Sequence, residues 1–234
     1  MIRQSALLKG SWQTLIVLDA CRYDIFSDAI VDYDLPGKLT EVDSEASRTS
    51  IWYRHHWREK HDDIVLVSAH PMIWSERKDA NFHQAIIVPG RMPDCWNPNC
   101  TLGRAISLRK SYPDKKFLLH IIAPHLPYQG KEGKSFIDIL MGGDYYDNQK
   151  QVNGTGLYKN VFTYGNKYGW EKLRYYYREN LNFALSIVLE YIKLLKPPIV
   201  ITSDHGEHIG EGGKYGHKGN SPKLPIVPWF EVAA

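Results

Sequence analysis

The sequence has few cysteines, and their spacing does not match a zinc finger. Its three cysteines, Cys21, Cys95 and Cys100, cannot all pair within one chain of 234 residues. Cys95 and Cys100 could close a small disulfide loop or hold a metal ion, but no second Cys/His pair stands at zinc-finger spacing. We therefore favour reduced structural thiols.

Long apolar runs are also missing at the start of the chain. The first apolar run, Leu15 to Leu18, is short, and Asp19 follows it directly. A signal peptide or a membrane-spanning helix needs a longer uninterrupted apolar segment. This run therefore predicts a strand, no membrane span and, without an export signal, a cytoplasmic location.

The chain has no strong excess of charge of either sign. Its formal net charge is +3, and its acidic and basic residues are interspersed. Because a polyanionic partner favours a basic patch or stripe, we expect no nucleic acid as a specific partner. Apolar residues make up 43% of the sequence, enough for a sizeable core. No repeat or linker divides the chain, so residues 1–234 are predicted to form a single domain.

Apolar runs of strand length recur along the chain, with helical stretches between them. They cover residues 14–19, 63–69, 84–89, 116–124 and 198–204. These runs are continuous rather than alternating, which is typical of strands covered on both faces. The sequence therefore predicts an α/β fold, a three-layer α/β/α sandwich with a mostly parallel sheet.

Helical periodicity is clearest in residues 169–198, where apolar side chains recur at three- and four-residue steps until Pro197 and Pro198. Shorter helices are predicted across Thr101–Ser111 and from about Asp24. Residues 141–169 are rich in Gly, Asn and Tyr and have no clear period. They predict a long insert over one edge of the sheet, either a mobile surface loop or a lid that contacts substrate.

Polar side chains stand where the predicted strands end. Asp19 ends the first strand, the fourth runs into His125, and Asp204 and His205 end the fifth. Ligands bind outside the carboxyl ends of the strands in open α/β sheets. Carboxylates and neutral imidazoles held by several rigid elements suit a divalent metal ion. Each residue alone has another interpretation, since a strand-ending Asp can also cap the next helix.

Five motifs give this pattern a family resemblance. In chain order they are LIVLDACRYD, SRTSIWY, HIIAPHLPY, SDHGEHIGEGGKYGHKG and PIVPWFEV. Together they resemble the alkaline phosphatase superfamily, specifically its sulfatase-like branch with the phosphoethanolamine and lipoteichoic-acid transferases. The fourth motif is highly specific, and the serine–threonine motif is much less so. The resemblance implies an alkaline-phosphatase-like fold.

The resemblance also implies a metal centre. Its expected ligands are Asp19, Thr49, Asp204 and His205. Thr49 would double as the nucleophile, while Ser47 and Ser50 remain alternatives. The imidazole ligand favours Zn or Mn over Mg or Ca. A second ion is uncertain and, if bound, is expected to be weak or substrate-dependent.

The same resemblance assigns catalytic roles to His125 and His217, and Arg22 is a third candidate because it follows Asp19 by three residues. The histidines are expected on the substrate side, where they bind oxygens, protonate the leaving group or hold a second metal. Arg22 could pair with a substrate anion or form a salt bridge with Asp24.

The remaining histidines and glutamates of these segments receive smaller roles. His120 is expected to face the sheet interior or to support the site from behind, and Glu207 and His208 to act as supporting residues. The other five histidines are expected to be surface or structural residues: His55, His56, His61, His70 and His83.

The sequence departs from the formylglycine sulfatases, because Cys21 lacks the Pro and Arg that follow their modified residue. We therefore expect a metal-dependent hydrolase of phosphate mono- or diesters that works through a covalent threonine intermediate. Its substrate would be a small phosphate or sulfate ester, with glycan or lipid head groups as further options. The alternatives are a phospho-alcohol transferase on such a head group, or a non-catalytic metal-dependent binding module. An oligomer is compatible with the sequence.

Overall fold

A computed structural model of the chain describes residues 1–70, 82–88, 96–143, 154–217 and 221–233. At its centre is an eight-stranded sheet, and a separate two-stranded ribbon lies outside it. Cys95 lies outside the described residues, so the structure does not test whether it pairs with Cys100.

Ten strands are found in these ranges. They are β1 (Ile2–Arg3), β2 (Thr14–Leu18), β3 (Gly37–Asp43), β4 (His61–Ser68), β5 (Phe82–Ile87), β6 (Lys116–Ile121), β7 (Ile199–Ser203), β8 (His208–Ile209), β9 (Tyr215–Gly216) and β10 (Ile226–Val232). The large sheet has the order β1-β3-β10-β7-β2-β6-β4-β5. Within it, β10 runs antiparallel to both of its neighbours, and all other pairs are parallel. β8 and β9 form the antiparallel ribbon.

Seven α-helices accompany the strands in the described part of the chain. They are α1 (Gln4–Leu7), α2 (Tyr23–Ile30), α3 (Thr49–His56), α4 (Pro98–Arg109), α5 (Lys131–Leu140), α6 (Gly154–Tyr168) and α7 (Glu171–Ile192). The long periodic segment is confirmed as α7. α4 begins three residues before the predicted start, because the Asn97 side chain accepts a hydrogen bond from the Asn99 amide and Pro98 occupies the first turn.

The sheet is covered on both faces, which confirms the predicted three-layer α/β/α architecture. Successive residues of β2 point to opposite faces, and each one is buried: Ile16 packs in the cluster with α2, α4 and α7, and Leu15 in the cluster with α3. Burial on both faces explains why these strands read as continuous apolar runs.

The five predicted strands correspond to β2, β4, β5, β6 and β7. The sequence analysis did not identify β3 and β10. β3 is mostly half-buried or exposed and has a polar sequence. β10 contains Pro228, which lacks a backbone N–H. Pairing of β10 with β7 covers Trp229–Glu231, while the Thr202 hydroxyl donates to the Pro228 carbonyl at 2.6 Å.

The interpretation of residues 141–169 as one long loop is wrong for its second half. Residues 144–153 lie outside the described ranges, but residues 154–168 form α6. Leu157 and Val161, four residues apart, are buried against α5 and α7. Their stripe is short and is continued by tyrosines, which is why the apolar pattern alone did not indicate a helix.

α7 is the longest of the described helices, at 22 residues. Charged side chains occur along its length, including Arg174, Arg178 and Glu190. In the ranges that the structure describes, no helix has both the length and the apolar character that crossing a bilayer requires.

Candidate active site

Two neighbouring parallel strands bring the first two acidic residues together. β2 and β7 pair in register up to Leu18 and Ser203, so Asp19 and Asp204 leave the sheet side by side. Ala20 then adopts a left-handed conformation with φ of 57°, and its amide donates to Asp204 Oδ1 at 3.1 Å. The turn is fixed further by Tyr177, whose hydroxyl donates to the Ala20 carbonyl at 2.6 Å.

Asp19, Asp204 and His205 form a buried group whose ligand atoms all lie within 4.8 Å of one another. His205 Nε2 is 3.4 Å from Asp19 Oδ1 and 3.5 Å from Asp204 Oδ2. The other ring nitrogen, Nδ1, donates to the Gly206 carbonyl at 2.7 Å. Once Nε2 gives up its proton, as metal binding requires, its lone pair is directed at the carboxylates, which is the arrangement of a metal-ligating imidazole.

Thr49 joins this group from the other side. It is the first residue of α3 and is buried, and its Oγ1 lies 3.5 Å from Asp19 Oδ1 and 3.2 Å from His205 Nε2. In the described part of the chain, no hydrogen bond joins Ser47 or Ser50 to these two residues. The amino end of a helix carries a partial positive charge, which favours an anion at this position.

A second group adjoins the first. The ligand atoms of His125, Glu207 and His217 also lie within 4.8 Å of one another. The His217 ring centroid is 4.9 Å from that of His205 and 5.5 Å from that of His125. The sequence analysis gave Glu207 only a supporting role, whereas the structure places its carboxylate among these imidazoles, with Oε1 3.9 Å from His125 Nε2.

His217 reaches this position through the β8–β9 ribbon. Gly210, with φ of 99°, starts the turn between the two strands, and its amide donates to the Lys214 carbonyl at 2.8 Å. Tyr215 of β9 hydrogen-bonds to Tyr128 at 3.1 Å, which attaches the ribbon to the aromatic cluster under α5, α6 and α7. On the same side, the Tyr158 hydroxyl of α6 contacts His125 Nε2.

The donor set fits divalent cations. Asp204 Oδ2 and both oxygens of Glu207 are buried and have no hydrogen-bond donor among the described residues. Buried carboxylate oxygens without a partner are costly unless a cation or a donor satisfies them. Carboxylate oxygens and neutral imidazole nitrogens are ordinary ligands of Zn and Mn.

Burial and neighbouring charges shift the pKa values of residues in both groups. Burial raises the pKa of the Glu207 carboxyl to about 7, although His125 and His205 act to lower it. Burial, together with His205 and His125, lowers the pKa of His217 to about 3. Burial also acts to lower the pKa of His205, but Asp204 and Asp19 outweigh it and raise the value to about 9.

His70 is a site neighbour that the sequence analysis treated as surface or structural. It follows β4, is 8% exposed, and places Nε2 3.1 Å from Asp19 Oδ2. Its ring stacks on His120 with centroids 5.2 Å apart. The strand-end rule that selected Asp19 and Asp204 applies equally to the run DIVLVSAH and could have identified His70.

His120 lies behind the site, as predicted. Its Nδ1 hydrogen-bonds to the Tyr53 hydroxyl at 2.9 Å, and Nε2 is 3.9 Å from Asp204 Oδ2. Burial lowers its pKa to about 4. A neutral His120 thus packs between α3 and the Asp204 carboxylate.

Arg22 is paired within the protein instead of facing a substrate. Its Nε donates to Asp24 Oδ1 at 2.8 Å, and Nη1 donates to Glu211 Oε1 at 2.5 Å. The salt-bridge alternative of the sequence analysis is therefore the one found. A second arginine, Arg48, directly precedes Thr49, is exposed, and acts electrostatically on His217.

Three solved structures share this fold. The C-terminal periplasmic domain of EcEptC from Escherichia coli, in complex with Zn, has a TM-score of 0.54 at 12% identity, over 95% of this chain and 74% of that one. The corresponding domain of the phosphoethanolamine transferase EptC from Campylobacter jejuni has a TM-score of 0.55 at 16% identity, over 93% of this chain and 77% of that one. A candidate sulfatase from Bacteroides thetaiotaomicron has a TM-score of 0.55 at 12% identity, over 94% of this chain and 64% of that one.

These likenesses show that the chain shares the fold of a phosphoethanolamine transferase domain and of a candidate sulfatase, which is the fold that the sequence resemblance implied. Neither a protein-family model nor a curated protein matches the chain. The predicted cytoplasmic location is contradicted, because the two EptC structures are periplasmic domains. The short run at Leu15–Leu18 is buried strand β2, so its length carries no information about the cellular compartment.

Proposed function

We propose that this protein is a metal-dependent phosphoryl-transfer enzyme that hydrolyses phosphate mono- or diesters through a covalent intermediate on Thr49. The observation that carries the proposal is the position of Thr49 Oγ1, 3.5 Å from Asp19 Oδ1 and 3.2 Å from His205 Nε2, at the amino end of α3. A hydroxyl in this environment sits where negative charge is stabilised and next to groups that can take its proton.

The residues that would hold a divalent ion are Asp19, Asp204, His205 and the Thr49 hydroxyl. Zn and Mn are favoured by the imidazole, and the Zn complex of the similar Escherichia coli domain supports a metal of this class. His125, Glu207 and His217 would hold a second ion. Bound ions supply positive charge that lowers the pKa of the hydroxyl and offsets charge on phosphoryl oxygens.

The chain's own residues account for the remaining steps. Thr49 passes its proton to Asp19, the carboxylate that its hydroxyl faces, Oγ1 bonds to phosphorus, and the bond between phosphorus and the leaving oxygen breaks. The α3 amino end and Arg48 stabilise the charge on the phosphoryl oxygens. His125 delivers a proton to the departing alkoxide, because Asp19 and Glu207 outweigh burial and raise its pKa, whereas the pKa of His217 is about 3. Water then attacks phosphorus and gives a proton to His125, while Oγ1 leaves phosphorus and takes its proton back, so that phosphate is released from a monoester, or a monoester from a diester.

Turnover of p-nitrophenyl phosphate, its bis ester and its sulfate tests the proposal, with Zn, Mn, Mg and Ca added separately. Thr49→Ala should lower kcat by on the order of 10³-fold or more, because it removes the nucleophile. Ser47→Ala and Ser50→Ala are the matched controls and should keep most of the activity. Full activity in Thr49→Ala would overturn the proposed nucleophile.

A readout of metal binding separates ion loss from the loss of chemistry. Asp204→Asn keeps an oxygen for the Ala20 amide but removes the carboxylate charge from the group. Zn affinity measured by calorimetry should fall at least about 10-fold in this variant. Unchanged Zn affinity would show that the ion binds elsewhere.

A second candidate function is phospho-alcohol transfer to a glycan or lipid head group, and it is favoured by the phosphoethanolamine transferase among the similar folds. In that case an acceptor alcohol replaces water in the second step, outside the cytoplasm. Turnover of the bis ester in water would then be slow and would increase with added alcohol, with the alkyl phosphate as a measurable product. No alcohol adduct at any concentration would favour the hydrolase.

A further inference from the structure

Three residues outside the candidate active site form a further group with the ligands of a metal ion. Glu45, His55 and His56, which we call the Glu45 group, each offer a ligand atom, and these atoms lie within 4.8 Å of one another. His55 Nε2 is 3.6 Å from Glu45 Oε1. The sequence analysis treated both histidines as surface or structural residues, and the proposed chemistry at Thr49 uses none of the three.

Glu45 lies in the connection between β3 and α3, in an unusual backbone conformation. Its φ is 59°, in the left-handed region that residues with a Cβ rarely adopt. Two hydrogen bonds hold it there: its amide donates to Asp43 Oδ1 at 2.7 Å, and its Oε2 accepts from the Ser5 amide at 3.1 Å. The other oxygen, Oε1, faces His55. The connection is thus fixed in a conformation that directs a carboxylate oxygen at the end of α3.

His56 is the last residue of α3 and presents a neutral imidazole. Its Nε2 donates to the Ser44 carbonyl at 2.8 Å, and its ring meets Trp52 edge-on with centroids 5.7 Å apart. Burial outweighs the Ser44 bond and lowers the pKa of the ring. A neutral ring with its proton on Nε2 carries a lone pair on Nδ1. An imidazole that donates from one nitrogen to a backbone carbonyl is the usual form of a metal ligand.

The charges around the Glu45 group favour a cation. Burial acts to raise the pKa of the Glu45 carboxyl, but Ser5 and the two histidines outweigh it and lower the value, so the group is ionised at neutral pH. Asp43 adds negative charge nearby, since it acts to raise the pKa of His56, and the carboxyl end of α3 carries a partial negative charge. Arg3 opposes them, with Nε 3.8 Å from Glu45 Oε1, but its side chain is 74% exposed, and so exposed an ion pair contributes little.

The ligand set of the Glu45 group selects the kind of ion. Two imidazoles and one carboxylate, with water in the fourth position, match the coordination of zinc. Ca and Mg take oxygen ligands and need more of them than this group offers. The His55 side chain is 48% exposed, so an ion can reach the group from solvent.

We propose that the Glu45 group binds a Zn ion that is separate from the metal centre at Thr49 and that fastens the β3–α3 connection to the end of α3. Thr49 follows Glu45 by four residues and precedes His55 by six. At about 1.5 Å per residue, Thr49 and His55 lie roughly 9 Å apart along the helix axis, so the two sites have ligands at opposite ends of α3. The ion holds both the connection that leads to Thr49 and the helix that Thr49 begins.

The Zn content of the full chain tests the site. Each protein is dialysed at the lowest buffered free Zn concentration that saturates the wild type, and bound Zn per chain is measured by mass spectrometry. Glu45→Gln, which keeps an oxygen for the Ser5 amide, and His55→Ala should each bind one Zn fewer than the wild type. Asp204→Asn weakens the other centre, so its loss and that of His55→Ala should add in the double variant.

His83→Ala and Glu59→Gln are the matched controls, since both side chains are exposed and neither belongs to the Glu45 group. Both should bind as much Zn as the wild type. A wild-type Zn content in Glu45→Gln and His55→Ala would overturn the proposal. An equal loss in the controls would also overturn it, because it would show binding to surface residues in general.

Nuclear magnetic resonance of histidine ring nitrogens locates the ion in the Asp204→Asn chain. Added Zn should shift the signals of His55 and His56 and leave that of His83 unchanged. Shifts confined to the histidines of the candidate active site would contradict the proposal.

Amide hydrogen exchange in the same Asp204→Asn chain tests the fastening of the connection. At a free Zn concentration ten times the dissociation constant of the site, exchange in residues 45–56 should slow about 10-fold, and His55→Ala should abolish this protection. Equal exchange with and without Zn would rule out the fastening. None of these measurements uses turnover, so their outcome is independent of the proposed function.

Discussion

At the scale of single residues, the candidate site combines groups that the sequence pattern identified with groups that it missed. Asp19, Asp204 and His205 were predictable because each directly follows a buried apolar run, and parallel strands end at a common edge. The sequence analysis gave Glu207 only a supporting role, because spacing along the chain does not show which way its side chain points. It follows Gly206, whose amide donates to the Leu224 carbonyl at 2.5 Å, so a contact distant in sequence orients this segment.

Arg48 supplies the first residue-scale prediction. Its exposed guanidinium precedes Thr49 and is electrostatically coupled to His217, so it should attract the substrate phosphate. Arg48→Ala should raise KM for p-nitrophenyl phosphate several-fold, about 1 kcal/mol, and the difference from wild type should shrink in high salt. Steady-state kinetics at two salt concentrations measures both effects.

Arg54→Ala is the control for this prediction. Arg54 is exposed on α3, the helix that begins directly after Arg48, and its Nε donates to the Ser50 carbonyl at 3.1 Å. Its removal should leave KM unchanged. If both variants raise KM equally, the effect belongs to the general charge of α3 and not to Arg48.

At the scale of elements, the strands that the sequence predicted are mostly the deeply buried ones. β2, β4, β5, β6 and β7 were recognisable because both of their faces lie in the core, whereas β3 is polar and β10 is interrupted by Pro228. α6 was missed because tyrosines replace aliphatic residues on much of its buried face. These elements are defined by neighbours distant in the sequence, which a local pattern does not contain.

The turn of the β8–β9 ribbon requires a backbone conformation that favours glycine. Gly210 has φ of 99°, and a Cβ at this position would overlap the indole of Trp170. Gly210→Ala should therefore destabilise the ribbon by more than about 2 kcal/mol and displace His217. Urea unfolding measures the first effect, and turnover of p-nitrophenyl phosphate measures the second.

Gly212→Ala separates backbone strain from overlap. Gly212 also has a positive φ, 59°, but a Cβ there would meet no atom within 4 Å. This variant should lose only about 1 kcal/mol and keep most of the activity. Equal losses in the two variants would mean that contact with Trp170 does not determine the position of the ribbon.

At the scale of the whole molecule, one ion-pair network joins distant parts of the chain. Arg22, at the start of α2, binds both Asp24 and Glu211 of the turn between β8 and β9. Burial acts to raise the pKa of Glu211, but Arg22 and the Ile209 amide outweigh it and lower the value to about 2. The network thus ties the ribbon to the helix that follows β2.

The depressed pKa of Glu211 predicts how stability depends on pH. Since its folded-state pKa of about 2 lies below the ordinary value of 4.5, its contribution is complete above about pH 4.5 and disappears as the pH falls through 2. Glu211→Gln should lower the free energy of unfolding by about 1 to 2 kcal/mol at pH 7, with allowance for its partial exposure, and by less at pH 3.

Denaturation in urea at pH 7 and pH 3 measures this difference. Glu190→Gln is the charge-matched control, because Glu190 is exposed on α7. It should have little effect at either pH. A Glu211→Gln deficit that is the same at pH 3 and pH 7 would indicate lost packing and not a lost ion pair.

The register of β2 and β7 also constrains how the length of the chain can change during evolution. Asp19 and Asp204 extend two paired central strands, so one inserted residue in either strand would move its carboxylate by about 3.3 Å and turn it to the other face. Neighbouring ligands would then no longer meet. Insertions and deletions between relatives should therefore be excluded from β2 and β7 and should collect in the connections between helices, where substrate preference can diverge while the ligand spacing is retained.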